Sequence, residues 1–150
     1  MSNQKETTYI LELSPTQARV LCNACELYTR LHIGQFDHLI WEFMNVKDMS
    51  HIANRNDVAR SLLSALRALY FPDLGTNTGA SYGVGHDEQS DIAWDIYQVV
   101  RHVQAWHEHP EGGYTVNFHD PLQTAQEPLA KCAVREPKKK KEVLVDGDRL

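Results

Sequence analysis

The chain has 150 residues, of which 42% are hydrophobic and 23% are charged, and its formal net charge is −5. This length predicts one domain that folds without disulfides, and the composition excludes collagen-like, wholly disordered and disulfide-scaffold classes. No apolar run approaches the roughly 20 residues of a membrane span. The polar first residues lack the apolar stretch of a secretory signal, so we expect a cytoplasmic protein.

Charge is distributed unevenly along the chain. Residues 1–130 carry eight basic and sixteen acidic side chains, a net −8, whereas residues 131–150 carry a net +3 and include the run Lys138–Lys141. An acidic body repels phosphate, which argues against a nucleic-acid partner. We interpret residues 7–120 as a single α+β domain. Residues 121–150 are then an extended arm that leads into a flexible, disordered basic tail.

The first two predicted elements are a strand and a helix. Polar and apolar side chains alternate over residues 7–13, which is typical of a β-strand. Ser14 and Gln17 then match a capping box, and Pro15 between them suits the first helical position. Because apolar residues continue at helical spacing, the helix is expected to run to about His32.

Two further helices are predicted at residues 35–45 and 57–70, the second with Asn56 as its N-cap. In the first of them, Trp41 lies off the apolar stripe. We interpret Trp41 and Phe36 as partner-binding residues. The crowding of large apolar side chains on this short helix also predicts a homo-oligomer. The crowded side chains are Phe36, Ile40, Trp41 and Phe43.

The second half of the chain begins with a glycine-containing loop at residues 71–90. A helix at about 91–107 follows it, with Ser90 as the expected N-cap. Residues 114–118 alternate and predict a strand that pairs with residues 7–13. The predicted fold class is therefore α+β, mainly helical, with about four helices and a small two-stranded antiparallel sheet.

The long loop suggests a ligand-binding site, because ordered loops of this length tend to be functional. Its glycines let backbone N–H groups approach a ligand, and the neighbouring Arg101 offers a fork of donors to an anion. A small anionic ligand such as a nucleotide signal is the expected class. The alternative is a loop that only packs on the helix. The candidate ligand-binding residues are Ser81, Tyr82, His86, Arg101 and His102.

Two other patterns could carry metal or redox chemistry. His107 and His109 lie close to Glu111, which is the basis for a metal-dependent enzyme, although helix-end histidines explain the same pattern. Cys22 and Cys25 form a CxxC motif inside a predicted helix, where we interpret them as small packing residues. We expect no catalytic residue, no bound metal and no cofactor.

Five motifs lie between about residues 9 and 130: L-x-L-S-P-x-Q-A-R-V-L, L-Y-T-R-L-H-I-G-Q-F, S-Y-G-V-G-H, A-W-D-I-Y-Q-V-V-R-H and P-E-G-G-Y-T-V-N-F-H-D-P-L. Together they resemble an uncharacterised group of small accessory proteins of tailed bacteriophages and prophages. The resemblance implies a bacterial host cytoplasm, where small acidic phage proteins bind and disable host machinery, including defence systems. The leading hypothesis is a non-catalytic protein that binds a host protein. Small-ligand binding and metal-dependent catalysis are the alternatives.

Overall fold

The computed structural model describes residues 7–46, 53–75 and 79–136. Within these ranges the chain forms α1 (Pro15–His32), α2 (His38–Val46), α3 (Ala53–Tyr70) and α4 (Glu88–Glu108), with short 3₁₀ turns at Pro72–Leu74 and Val116–Phe118. No helix in the described ranges is long and apolar enough to cross a membrane. The Lys138–Lys141 run lies outside the described residues.

The predicted capping box at the start of α1 is confirmed. The backbone N–H of Gln17 donates to the Ser14 hydroxyl (3.3 Å), and the Gln17 side-chain oxygen accepts from the Ser14 backbone (2.9 Å). Two of the N–H groups that a helix start leaves without partners are satisfied in this way. The helix ends at His32, as its apolar spacing predicts.

The starts of α3 and α4 differ from the sequence prediction. The helix α3 begins at Ala53, so Asn56 lies inside it and is not its N-cap. The N-cap of α4 is Asp87, whose carboxylate accepts from the backbone N–H of Ser90 at 2.9 Å. Both Asp and Ser are good caps, and the choice between them depends on contacts that Ser90 makes with α1.

The predicted two-stranded sheet is wrong, because the described residues contain no β-strand. Residues 7–13 form no regular secondary structure, and the Ile10 side chain in that segment is exposed. In the second predicted strand, Phe118 belongs to a 3₁₀ turn and packs edge-on against Trp106 on α4 with 5.4 Å between ring centroids. A Cβ on Gly113 would lie only 2.4 Å from the Phe118 ring, so this packing depends on a glycine there. Packing of one aromatic ring therefore overrides the alternating pattern.

Helices α1 and α4 form the body of the molecule as an antiparallel pair. The Thr29 hydroxyl donates to the backbone oxygen of Ser90 at 3.0 Å, near the end of α1 and the start of α4. At the other end, the Arg19 guanidinium lies 3.2 Å from the Glu108 carboxylate. Between them, Cys22 is buried with its sulfur 3.8 Å from the backbone oxygen of Tyr97. The small side chains of Cys22, Thr29 and Ser90 let the two helices approach closely.

Acidic side chains in the first half of α4 hold the flanking segments. Both carboxylate oxygens of Asp91 accept from the backbone N–H of Gly85, at 2.9 and 3.0 Å. Asp95 accepts from the backbone N–H groups of Thr124 and Ala125, each at 3.0 Å. Both aspartates are buried, and buried carboxylates are tolerated when such donors satisfy them. The start of the predicted arm therefore lies against α4.

Candidate functional site

The glycine-containing loop is held in place by α1 and α4. The backbone N–H of Tyr82 donates to the backbone oxygen of Ile33 (3.1 Å), and the Gln35 amide donates to the Ser81 hydroxyl (3.3 Å). Gly85 has a φ of 85°, a left-handed conformation that favours glycine, and its N–H is the one held by Asp91. These contacts place the next residue, His86, beside the end of α1.

The same loop is closed by a buried arginine of α3. The Arg67 guanidinium donates to the backbone oxygens of Ala80 (2.8 Å) and Gly75 (3.4 Å) and is only 4% exposed. Backbone oxygens therefore satisfy part of this buried cation, while its Nε has no hydrogen-bond partner. Arg67 ties α3 to the loop, although the sequence suggested no such role for it.

A histidine–aspartate pair lies where α1 meets the start of α4. His32 Nδ1 is 3.0 Å from the Asp87 carboxylate, and the ring of Tyr28 stacks on His32 with centroids 4.1 Å apart. When Nδ1–H donates to Asp87, the lone pair of the neutral imidazole is on Nε2. The carboxylate thus orients the ring and selects its tautomer, while Nε2 is left to accept from a ligand.

This pair lies at one end of a cleft of about 530 Å³ between α1, α2, α3 and the loop. His86 lies at the same end, stacked face to face on Tyr82 with centroids 3.8 Å apart. The rest of the lining is apolar or aromatic, so the cleft has mostly apolar walls and one polar end. The lining residues are Leu31, His32, Phe36, Leu39, Leu66, Tyr70, Phe71, His86 and Asp87.

The structure divides the predicted ligand-binding residues into two groups. Ser81, Tyr82 and His86 lie in the loop beside the cleft, as described above. Arg101 instead donates to the Tyr97 hydroxyl and the backbone oxygen of Val116, both at 3.3 Å. His102 Nδ1 lies 2.9 Å from the backbone oxygen of His119. Because α4 rises 1.5 Å per residue, Arg101 is about 16 Å along the axis from Ser90, so these two residues do not join the loop.

The two predicted partner-binding residues also have different surroundings. Phe36 lines the cleft and packs edge-on against Phe71, with 5.6 Å between ring centroids. Trp41 is 54% exposed. It borders a smaller cavity of about 180 Å³ that Gln35 and Asp37 also line. Of the two residues, only Trp41 therefore has more than half of its surface open to solvent.

The histidine cluster does not form a metal centre in the described part of the chain. His107 lies 3.8 Å from Glu136, and His109 lies 3.4 Å from Glu111. Among residues 7–46, 53–75 and 79–136, no three His, Cys, Asp or Glu side chains are grouped as metal ligands. The pairs that form are exposed ion-pair contacts of a kind that contributes little to stability.

The CxxC cysteines are free thiols in the contact between helices. Burial is the main cause that raises the pKa of the Cys22 thiol to about 11, with a smaller contribution from the nearby Glu26 carboxylate. Burial also raises the pKa of Cys25. Thiols with raised pKa values are poor nucleophiles and poor metal ligands at neutral pH. This environment agrees with the packing interpretation.

Sequence reasoning missed His32 and Asp87, the pair on which the polar end of the cleft depends. Two local signals were present: Tyr28 and His32 are spaced to stack on one helix face, and Asp87 precedes a helical pattern as an N-cap can. Comparisons with protein-family models, with curated proteins and with solved structures find no match.

Proposed function

We propose that this protein is a non-catalytic binding protein that takes a small, flat ligand in the cleft between α1, α2, α3 and the loop. The observation that carries the proposal is the His32–Asp87 pair at the polar end of an otherwise apolar cleft. Ligand sites in proteins have volumes of about 300–1,000 Å³, mostly apolar walls and a few placed polar groups. The cleft, at about 530 Å³, has these properties.

The lining limits the chemistry of the ligand. Aromatic rings of Phe36, Phe71 and Tyr70 favour a planar ring, and Nε2 of His32 accepts from an N–H or O–H group. None of the described residues that line the cleft is Lys or Arg, and one of these residues, Asp87, is acidic. The expected ligand is therefore an uncharged or basic heteroaromatic ring. A nucleotide signal fits through its base, with its phosphates directed towards solvent.

Thermal shift and calorimetry with defined probes test this proposal. We would use adenosine, guanosine, a cyclic dinucleotide, ADP-ribose and indole. A probe present at 100 times its Kd stabilises the protein by about 2.7 kcal/mol, which raises Tm by several degrees. His32→Ala should weaken binding at least tenfold, whereas His102→Ala, a histidine at the far half of α4, should leave binding unchanged. Absence of binding by every probe, or equal binding to His32→Ala, contradicts the proposal.

A host protein partner is the second candidate, and the exposed Trp41 supports it. Large aromatic residues such as Trp contribute most of the binding energy at many protein interfaces, and more than half of the Trp41 surface is exposed. The resemblance to phage accessory proteins would make that partner a bacterial host protein, such as a defence component. A photo-crosslinking amino acid at position 41 should then capture one host protein in stoichiometric amount. The same group at Tyr114, another exposed aromatic position, is the control, and equal capture at both positions contradicts this role.

A further inference from the structure

The apolar face of α3 points to solvent. We call this face the α3 strip. Four of its exposed residues follow one another at intervals of four, three and four positions along the helix, and the fifth, Leu66, lies beside them. The less exposed side of the same helix carries the apolar residues Ala59 and Leu63 as well as the polar residues Ser64 and Arg67. A helix in a folded monomer normally buries its most apolar side, but no other part of the chain that the structure describes covers this side of α3. The residues of the α3 strip are Val58, Leu62, Ala65, Leu66 and Leu69.

We propose that the α3 strip is covered by a second copy of this chain, in an antiparallel two-fold pair of α3 helices. Alternating spacings of three and four are the heptad seam along which two helices pack. With the two-fold axis beside the middle of the helix, Leu62 lies opposite Ala65 of the second copy. Val58 lies opposite its Leu69. Near the axis the large Leu62 thus meets the small Ala65, which lets each copy fit the other.

The charges next to the α3 strip favour a second copy over an oppositely charged partner. No member of the strip carries a charge, and the nearby Arg60 is paired with Asp37 of its own chain at 3.4 Å. The strip therefore offers no charged side chain with which an oppositely charged partner could pair.

The size of the surface also suits self-association. Together with Tyr70, the strip presents on the order of 600 Å² of apolar surface, against about 800 Å² per partner in a standard interface. Leu66 and Tyr70 line the cleft as well as the exposed face. A second copy would therefore extend its contact over the open side of the cleft and shield it from solvent. The pairing itself does not depend on any ligand.

Light scattering after size exclusion tests the pairing with the full chain. We expect twice the 17.1 kDa chain mass at about 100 µM protein. Leu69→Glu, at a position that is 74% exposed, should give a folded monomer, with circular dichroism as the check on folding. Leu122→Glu is the matched control, because Leu122 is 71% exposed and lies away from α3. A monomeric wild type, or a Leu69→Glu dimer, overturns the proposal.

Cross-linking tests the direction of the helices. In a Cys25→Ser, Cys132→Ser background, chains with Val58→Cys are mixed with chains with Leu69→Cys and oxidised with copper phenanthroline. The antiparallel pair predicts a disulfide-linked heterodimer in the mixture and none in either chain alone, because like positions are about 16 Å apart along the axis. Cross-linking of Val58→Cys to itself would indicate a parallel pair and contradict the proposed arrangement.

Discussion

The hydroxyl of Thr29 donates a hydrogen bond of 3.0 Å to the backbone oxygen of Ser90, across the contact between α1 and α4. Thr29 is 1% exposed and Ser90 is fully buried. The serine hydroxyl has no hydrogen-bond partner, although it lies in the same contact. Of these two buried hydroxyl groups, one therefore stabilises the helix pair, and the other is tolerated because only a small side chain fits.

This asymmetry predicts opposite effects for two conservative substitutions. Thr29→Val keeps the volume and loses the hydrogen bond, which should lower the free energy of unfolding by about 1 kcal/mol. Ser90→Ala removes a buried hydroxyl without a partner and should leave stability unchanged or raise it by up to about 1 kcal/mol. Urea unfolding followed by circular dichroism measures both. A greater loss in Ser90→Ala than in Thr29→Val would contradict this account of the contact.

Asp95→Asn should release the segment at 122–127 from α4. The carboxylate of Asp95 accepts from two backbone N–H groups and from the Thr124 hydroxyl at 2.6 Å. The asparagine amide would offer these three donors only one accepting oxygen, and its NH2 group would face other donors. The expected loss of stability is therefore about 3 kcal/mol.

The local readout for this variant is hydrogen exchange, which should show the amides of Thr124 and Ala125 losing protection. Asp120→Asn is the matched control, because the Asp120 side chain is 99% exposed. It should change stability by less than about 0.5 kcal/mol. Unchanged protection at Thr124 in Asp95→Asn would show that the carboxylate does not hold this segment.

Gly34 and Gly75 allow a comparison of steric and conformational effects. Both have positive φ, at 86° and 62°, but a Cβ on Gly34 would lie 2.5 Å from Leu74, whereas one on Gly75 meets nothing within 4 Å. Gly75 combines φ 62° with ψ −157°, a region that essentially only glycine adopts, so Gly75→Ala should cost about 1 to 3 kcal/mol from backbone strain alone. Gly34→Ala adds overpacking and should cost about 2 to 4 kcal/mol. Equal losses of thermal stability would show that Leu74 moves away without cost.

The raised pKa of Cys22 predicts the pH dependence of its alkylation. With a pKa of about 11, the thiolate fraction at pH 8 is about one in a thousand, and it rises about tenfold per pH unit up to that pKa. Iodoacetamide labelling from pH 7 to 10, followed by peptide mass spectrometry, measures each cysteine separately. The exposed Cys132 should react much faster at pH 8, and in urea the difference should disappear. Equal rates in the folded protein would contradict the burial of Cys22.

Local sequence signals predicted the helices better than the remaining segments. The capping box of Ser14 and Gln17 depends on residues three apart, so the sequence alone contains the interaction that starts α1. The start of α4 was misplaced, because Ser90 is committed to the contact with α1, and that contact joins residues 61 apart. The segment at 114–118 failed as a strand for a similar reason, since Phe118 packs on the tryptophan of α4.

The sequence analysis grouped residues of the candidate site only where they are close together along the chain. The loop residues Ser81, Tyr82 and His86 lie near one another because they are close in sequence. Arg101 and His102 were placed beside them on the shared face of one helix, but the turn at 116–119 occupies that part of α4. His32 joins the site through a contact that spans 55 residues. Periodicity carries no information about such distant pairs.

The antiparallel pairing of α1 with α4 has a consequence for how the chain is made. Synthesis at about 5–20 residues per second separates the end of α1 from the end of α4 by roughly 4–15 seconds. During that interval the face of α1 that carries Cys22 and Thr29 has no helix to cover it, and α3 emerges with its strip exposed. The pair can close once α4 has been made, and the hydrogen bonds of Asp95 to the backbone of Thr124 and Ala125 are added when that later segment emerges. Closure of the α1–α4 pair thus follows the synthesis of α4.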